Sequence, residues 1–294
     1  MLTIDPQLSE SEVTTMFVRN GTAALSRVLT CPPSYLQRAA PINEISKRYA
    51  NQPLDQTKLQ AEYRQLVEIY HQIGVTVEQL TPTTEMPNAV FSRDFGGCVR
   101  EGYILGRFKK SIRFKESTAY EHKMADLGIP KLGEVVHGFF EGGDFAFLAD
   151  NVIAIGMLDR TDQTGFDEIK AMLSPLGYQV YPVKAASRYL HLDMCFNLVA
   201  DHLAVAYVQG LPPDFLSLLS KLAIKLIPVP ETAIFKHGCN LESLGHHRVI
   251  SLKQNQAINA ALRSAGMSVL ELNAVETLKA GGGPHCMTFP LHRV

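Results

Sequence analysis

A chain of 294 residues, 46% hydrophobic and 19% charged, is long enough and apolar enough to fold around a sizeable core as one large or two small domains. A formal net charge of −1 supplies no field to gather nucleic acid or an acidic membrane surface, and no apolar run reaches the length of a bilayer span. The first twenty residues carry Asp5, Glu10 and Glu12 instead of a secretion signal, and the five cysteines (31, 98, 195, 239 and 286) contain no C-x-x-C pair, so free thiols and a cytoplasmic location are expected, without a disulfide framework or structural zinc.

In chain order, residues 1–40, including Cys31-Pro32-Pro33-Ser34-Tyr35, are expected to form an edge strand and a loop over a pocket. A helix over 56–74 then leads to a strand at 75–80, and a less clear unit runs from Ser117 through Gly128 to Val136. The same order of helix and strand returns at 164–177 and 178–183, at 214–222 and 224–229, and at 255–266 and 267–272. Apolar residues at core spacing mark the helices, for example Phe166, Ile169, Met172 and Leu173, and glycines 74, 177 and 266 stand where a C-cap belongs. Three pairs, Asp150-Asn151, Asp201-His202 and His246-His247, precede strand signal and predict hairpins.

Each helix–strand unit is followed by a loop of polar or special residues. The loops are Phe91-Ser92-Arg93-Asp94, Phe140 to Asp144, Tyr189 to Asp193, His237 to Asn240 and Gly281 to Cys286. Taken at Asp94, Glu141, His191, Asn240 and Cys286, they recur at steps of 47, 50, 49 and 46 residues. Such a period implies stacked or circularly arranged units. Five α/β units closing in a ring would bring these loops together near an axis. An open α/β sheet is the simpler alternative, but neither G-x-G-x-x-G nor a P-loop supports a nucleotide-binding version.

Cys286 ends a Gly-Gly-Gly-Pro-His run, where glycines admit close approach of backbone to a ligand; alone it would read as a small buried hydrophobe. His191 is the candidate base, and Asp193 at i+2 shares its face if the segment is extended. Glu141 and Asp144 flank Gly142-Gly143 and would otherwise be solvated turn residues, as Asp94 beside Arg93 would be a surface ion pair. At one phase of a repeat the set becomes specific. A thiol adds nothing to magnesium chemistry, and cysteine peptidases do not need several acids. Converging carboxylates imply a cationic substrate, and a guanidinium offers a planar fork of donors to them. Pairing with acids localises its charge and exposes its central carbon to a thiolate.

The motifs F-S-R-D, E-G-G-D, H-L-D and G-G-G-P-H-C-M-T, in that order, resemble the guanidine-modifying enzymes, the pentein or amidinotransferase-like superfamily, over about residues 85–294. The resemblance implies a single-domain, five-bladed, pseudo-fivefold α/β propeller covering 1–294. It is nearest to arginine deiminase, which implies Cys286 as nucleophile, His191 as general acid/base and Glu141 as its assistant. Asp94 and Asp193 would grip the guanidinium, with Phe91 in the F-S-R-D motif among the substrate-binding residues. Asn88, Arg113 and Arg160 would meet the substrate α-carboxylate. The chain departs from typical arginine deiminases in lacking their helical insertion, and its compact length is nearer to dimethylarginine dimethylaminohydrolases. Those often carry Lys where Asp193 stands, and arginine dihydrolases tend to Asn where Asp94 stands. His285 is similar to the agmatine deiminases.

The expectation is therefore a cofactor-free, metal-free hydrolase that converts arginine to citrulline and ammonia through a covalent amidino-thioether. Its partner is a small guanidino compound, with no nucleic acid, no membrane and no partner protein beyond a second copy of the chain. Dimethylarginine hydrolysis, arginine dihydrolysis and amidino transfer are the enzymatic alternatives. A non-catalytic guanidine-binding protein and a metal-dependent hydrolase are the readings from other classes.

Overall fold

The computed structural model describes residues 16–36, 44–49 and 51–294. The N-terminal part contributes β1 (Leu25–Thr30), α1 (Glu44–Arg48), α2 (Gln56–Gln72) and β2 (Thr76–Gln79). Four copies of hairpin, helix and strand follow. They are β3 (Gly96–Val99), β4 (Gly102–Leu105), α3 (Phe114–Asp126) and β5 (Lys131–Glu134); then β6 (Phe145–Ala149), β7 (Val152–Met157), α4 (Gln163–Leu173) and β8 (Gln179–Lys184). Next come β9 (Phe196–Ala200), β10 (Leu203–Ala206), α5 (Pro213–Lys221) and β11 (Lys225–Pro228), with a short α6 (Glu231–Ile234) after them. The last copy is β12 (Glu242–Gly245), β13 (Arg248–Leu252), α7 (Gln256–Ser264) and β14 (Ser268–Leu272), before α8 (Glu276–Ala280) and β15 (Phe289–Arg293).

The strands make five three-stranded sheets. In each of the four copies the hairpin is antiparallel and the strand after the helix returns parallel to the second hairpin strand. The fifth sheet repeats this pattern across the termini: β15 runs antiparallel to β1, and α2 leads to β2 parallel to β1. The chain is thus closed on itself, and residues 25–30 are the central strand of that sheet, not the expected edge strand. An edge would leave one row of N–H and C=O groups unpaired, whereas β1 pairs on both sides. The loop expected with it falls partly on 1–15 and 37–40, outside the described residues.

Local chemistry explains the units. Asp55 and Asp162 cap α2 and α4 by accepting the backbone N–H groups of Lys58 and Gly165 at 3.0 and 2.8 Å. Glycines 74, 128, 177 and 266 follow the helices with φ between 71° and 89°, where a β-carbon would strain the backbone. On α2, Leu59, Tyr63, Leu66 and Tyr70 recur at helical spacing and are all buried. Burial decreases from the first strand of a sheet to the third: β3, β9 and β12 are buried throughout, β2 and β5 only partly. One cavity of about 50 Å³ is lined by residues from the first strand of all five sheets, including Gly97, Phe145, Asn197, Glu242 and Pro290. The first strands therefore surround a common axis, as the blades of a five-bladed propeller do. No helix among the described residues is long and apolar enough to cross a membrane.

Candidate active site

The loops that precede the first strands tighten into short 3₁₀ turns at Ser92–Phe95, Gly142–Asp144 and Leu192–Met194. These turns touch their neighbours around the axis, so one end of the propeller collects the residues at the phase of the repeat. Cys286 enters from the loop between α8 and β15. Its Sγ lies 2.9 Å from Asn240 Nδ2 and 3.5 Å from Asp193 Oδ2. Asp193 Oδ2 also accepts from Asn240 Nδ2 at 3.0 Å and sits 2.9 Å from His285 Nδ1. His191 Nε2 is 3.0 Å from Glu141 Oε2, and its Nδ1 is 3.8 Å from Asp94 Oδ1. His191 and Asp193 thus turn to different partners, because the 3₁₀ turn between them replaces the extended backbone that would have given them one face.

Two guanidinium groups stand behind the acids. Arg113 Nη1 is 2.5 Å from Asp94 Oδ2, while its Nε and Nη2 reach Glu116 Oε2 at 3.0 and 2.8 Å. The same Nη2 donates to the carbonyls of Asn88 and Phe91 at 3.4 and 3.1 Å. Arg160 Nη1 lies 3.3 Å from Glu141 Oε1 and its Nε 2.8 Å from Asp159. Both arginines are fully buried and paired with carboxylates of the protein. Their geometry suits them to holding Asp94 and Glu141, where the sequence had them meeting a substrate carboxylate. Asn88 and Phe91 are buried beside Arg113. The Phe91 ring closes on the Cys286 loop so tightly that a β-carbon at Gly282 would lie 2.1 Å from it. Gly143 packs as closely under His191: a β-carbon there would stand 2.5 Å from its Nδ1.

The electrostatics follow from burial and charge. Burial alone would depress the His191 imidazolium, but Asp94, Glu141 and Asp144 outweigh it and push its pKa up to about 10. Burial, then the charges of Asp193 and Asp94, push the Cys286 thiol well above the ordinary range. Glu141 is held below the carboxylate range because His191 and Arg160 overcome its burial. The resting site therefore holds a thiol and an imidazolium. Asp94 Oδ1 and Asp193 Oδ1 are buried without a hydrogen-bond partner among the described residues, and such orphaned acceptors call for a ligand.

Asp94, Glu141 and His191 offer atoms within 4.8 Å of one another, a spacing that one metal ion could share. However, Arg113 and Arg160 already supply positive charge to the two acids. Asp144 turns away from the centre: its oxygens accept from Leu192 N at 2.9 Å and Thr161 Oγ1 at 2.7 Å, bracing the His191 turn. Asn240 was legible as the fourth member of the repeat phase but was not assigned a role; it touches both the thiol and Asp193. Arg93 pairs with Glu242 at 2.9 Å, so the alternative of a surface Arg93–Asp94 ion pair does not hold. All five cysteines are free and buried.

A family model described as N,N-dimethylarginine dimethylhydrolase, eukaryotic, matches residues 33–293. The uncharacterized protein YkgA of Bacillus subtilis is 30% identical over 269 residues, 92% of each chain. The N(G),N(G)-dimethylarginine dimethylaminohydrolase of Mycobacterium tuberculosis is 28% identical over 268 residues, 90% of this chain and 86% of that one. Among solved structures, the N-terminal domain of ArgZ, an arginine dihydrolase from the cyanobacterial ornithine–ammonia cycle bound to its product, aligns with a TM-score of 0.81 at 22% identity, over 91% of this chain and 97% of the domain. A cysteine-to-serine mutant of the Pseudomonas aeruginosa DDAH complexed with citrulline aligns at 0.78 and 19% identity, over 92% and 100%. These two likenesses establish the pentein fold. With the family model covering nearly the whole chain, the protein belongs to the N,N-dimethylarginine dimethylhydrolase family of the pentein superfamily, hydrolases that act on the C–N bonds of linear amidines.

Proposed function

We propose that this chain hydrolyses the guanidinium of arginine to citrulline and ammonia, with Cys286 as nucleophile and His191 as general acid/base. The observation that carries the reading is the pair of orphaned oxygens, Asp94 Oδ1 and Asp193 Oδ1, on carboxylates whose charge reaches the Cys286 thiol. A guanidinium with hydrogens on both terminal nitrogens can satisfy both acceptors, one from each edge. Burial is the larger cause of the raised thiol pKa, and the substrate's positive charge offsets the remaining part that comes from Asp193 and Asp94, so binding favours release of the thiol proton to solvent.

The thiolate then adds to the guanidinium carbon, and His191 passes its proton to one amino group, which leaves as ammonia. What remains is an amidino-thioether on Cys286. The now neutral His191, oriented by Glu141, takes a proton from water as the hydroxide adds to the same carbon. The adduct loses a proton and expels the thiolate, giving the ureido product. Arg113 and Arg160 hold Asp94 and Glu141 in place throughout.

The second reading is hydrolysis of N,N-dimethylarginine, favoured by the family match. A dimethylated nitrogen carries no hydrogen for one of the two free oxygens, which is why arginine is placed first. Purified protein incubated separately with L-arginine, N,N-dimethylarginine and agmatine, without added metal, decides by mass analysis of the products. Citrulline and ammonia from arginine, lost in Cys286→Ala, support the first reading. Citrulline and dimethylamine with no arginine turnover select the second, and turnover surviving Cys286→Ala refutes both.

A further inference from the structure

We propose that His285 is a positioning residue for Asp193, fixing which carboxylate oxygen is presented to the substrate cation. The inference rests on the reading of Asp193 as a guanidinium grip and adds a residue to it. Three groups converge on one oxygen of Asp193: His285 Nδ1 at 2.9 Å, Asn240 Nδ2 at 3.0 Å and Cys286 Sγ at 3.5 Å. The other oxygen, Oδ1, has no partner. Saturating Oδ2 from behind stops the carboxylate from rotating, so the substrate meets Oδ1.

Asn240 spends one of its two amide hydrogens on Asp193 and the other on the thiol, so His285 supplies the second N–H that saturates Oδ2. His285 is itself well anchored. Its carbonyl accepts from Arg93 Nε at 3.4 Å and from Thr288 N at 3.1 Å. The residue lines the axial cavity together with Asp193, Arg93, Glu242 and Arg293. Because Nδ1 faces a carboxylate, it carries the proton in both charge states of the ring, and the clamp holds whether His285 is neutral or charged.

The titratable groups facing Asp193 are His285, His191 and His237, with the thiols of Cys286, Cys195 and Cys239. Burial would raise the Asp193 carboxyl; the hydrogen bond from His285 is the first influence that overcomes it. His237, pushed down to about 4 by burial, is neutral near pH 7 and cannot substitute. Removing the His285 donor therefore lets the Asp193 pKa rise, and the grip is lost at a higher pH.

The test is the pH dependence of kcat and KM for wild type, His285→Ala, His285→Asn and His285→Gln, on the guanidine that the wild type turns over. One hydrogen bond to a charged group corresponds to a loss of about 10- to 100-fold in kcat/KM. That loss is expected in His285→Ala, mostly through KM, with the acid limb moved toward neutrality. His285→Asn, whose amide nitrogen falls near the place of Nδ1, should restore KM and the limb, whereas His285→Gln should not. If His285→Ala does not fold, the Asn and Gln pair still decides. Unchanged KM and acid limb in the Ala or Gln variant, with only the yield of folded protein reduced, overturns the proposal. L-arginine binding to Cys286→Ala, measured by calorimetry against pH with and without His285→Gln, reads the same limb without turnover. A shifted binding limb in a protein whose wild type hydrolyses no guanidine would sink the reaction and leave His285 in its role; an unshifted limb sinks His285 alone.

Discussion

Arg113→Ala separates a brace from a substrate contact. Asp94 and Glu116 are 5% and 0% exposed, and Arg113 is their shared counter-charge. Removing one partner of a buried ion pair costs about 3–5 kcal/mol, since it strands a charge without water. Burial already pushes the Glu116 carboxyl up to about 7 against the pull of Arg113, so it can take a proton and relieve part of the strain. That places the expected loss near the lower end, about 3 kcal/mol. At roughly 2–4 °C per kcal/mol for a large domain, thermal unfolding should begin about 6–12 °C earlier. Arg113→Lys keeps the charge but loses the fork that reaches both acids and two carbonyls, and should fall between the two. The measurement is a thermal melt of the three proteins at pH 7, followed by kcat/KM on arginine and on agmatine, which lacks the carboxylate. A brace acting through Asp94 lowers both substrates by a similar factor. An Arg113→Ala protein within about 1 kcal/mol of wild type, or a loss confined to arginine, would refute the reasoning.

Gly143→Ala drives a β-carbon to 2.5 Å from His191 Nδ1 and 2.7 Å from its Cγ, so the imidazole must move. A misplacement approaching 1 Å corresponds to about a 10²-fold loss of kcat, expected with an unchanged circular dichroism spectrum. The raised pKa of His191, about 10 when folded against 6.5, has a stability consequence. Its contribution is complete below about pH 6.5 and lost as pH rises through about 10, so the wild type should lose its melting advantage over His191→Asn across that window; a constant gap would contradict the charge assignment. The Cys286 thiol, raised first by burial and then by Asp193, should react slowly with iodoacetamide at pH 7 and still be accelerating at pH 9. Asp193→Asn should move that midpoint down; a wild-type midpoint below the ordinary thiol value would show the field to be wrong.

The helices and the strands that follow them were readable because their signals are local: apolar spacing on one face and a glycine with positive φ at the end. Hairpins at Asp150-Asn151, Asp201-His202 and His246-His247 were readable for the same reason, and both turn histidines at 246 and 247 adopt positive φ. The β3–β4 hairpin was not singled out. Its glycines carry no strand preference and are there because a β-carbon at Gly96 would sit 2.1 Å from the Ile104 carbonyl oxygen. Placing β1 between β15 and β2 was beyond any local rule, since the pairing joins residues near the two ends of the chain.

The candidate site divides along the same line. Its members at a common phase of the repeat could be found from spacing alone, because equivalent loops of a closed ring point to one axis. Which member touches which could not, because the distances between loops depend on how neighbouring sheets pack. Arg113 shows the limit. A basic residue at the start of a helix reads as surface or as a ligand for anions, and nothing in Arg113-Phe114-Lys115-Glu116 says that the helical i, i+3 spacing folds Glu116 back onto it. Nor does anything local show that Asp94, nineteen residues earlier, completes the cluster. The same holds for the two orphaned oxygens. Asp94 is held by Arg113 on one oxygen, and Asp193 by His285 and Asn240 on one oxygen. What the fold leaves over, one oxygen without a hydrogen bond on each carboxylate, is a property of the assembled ring, and it is this remainder that the proposed reading fills with a doubly donating cation.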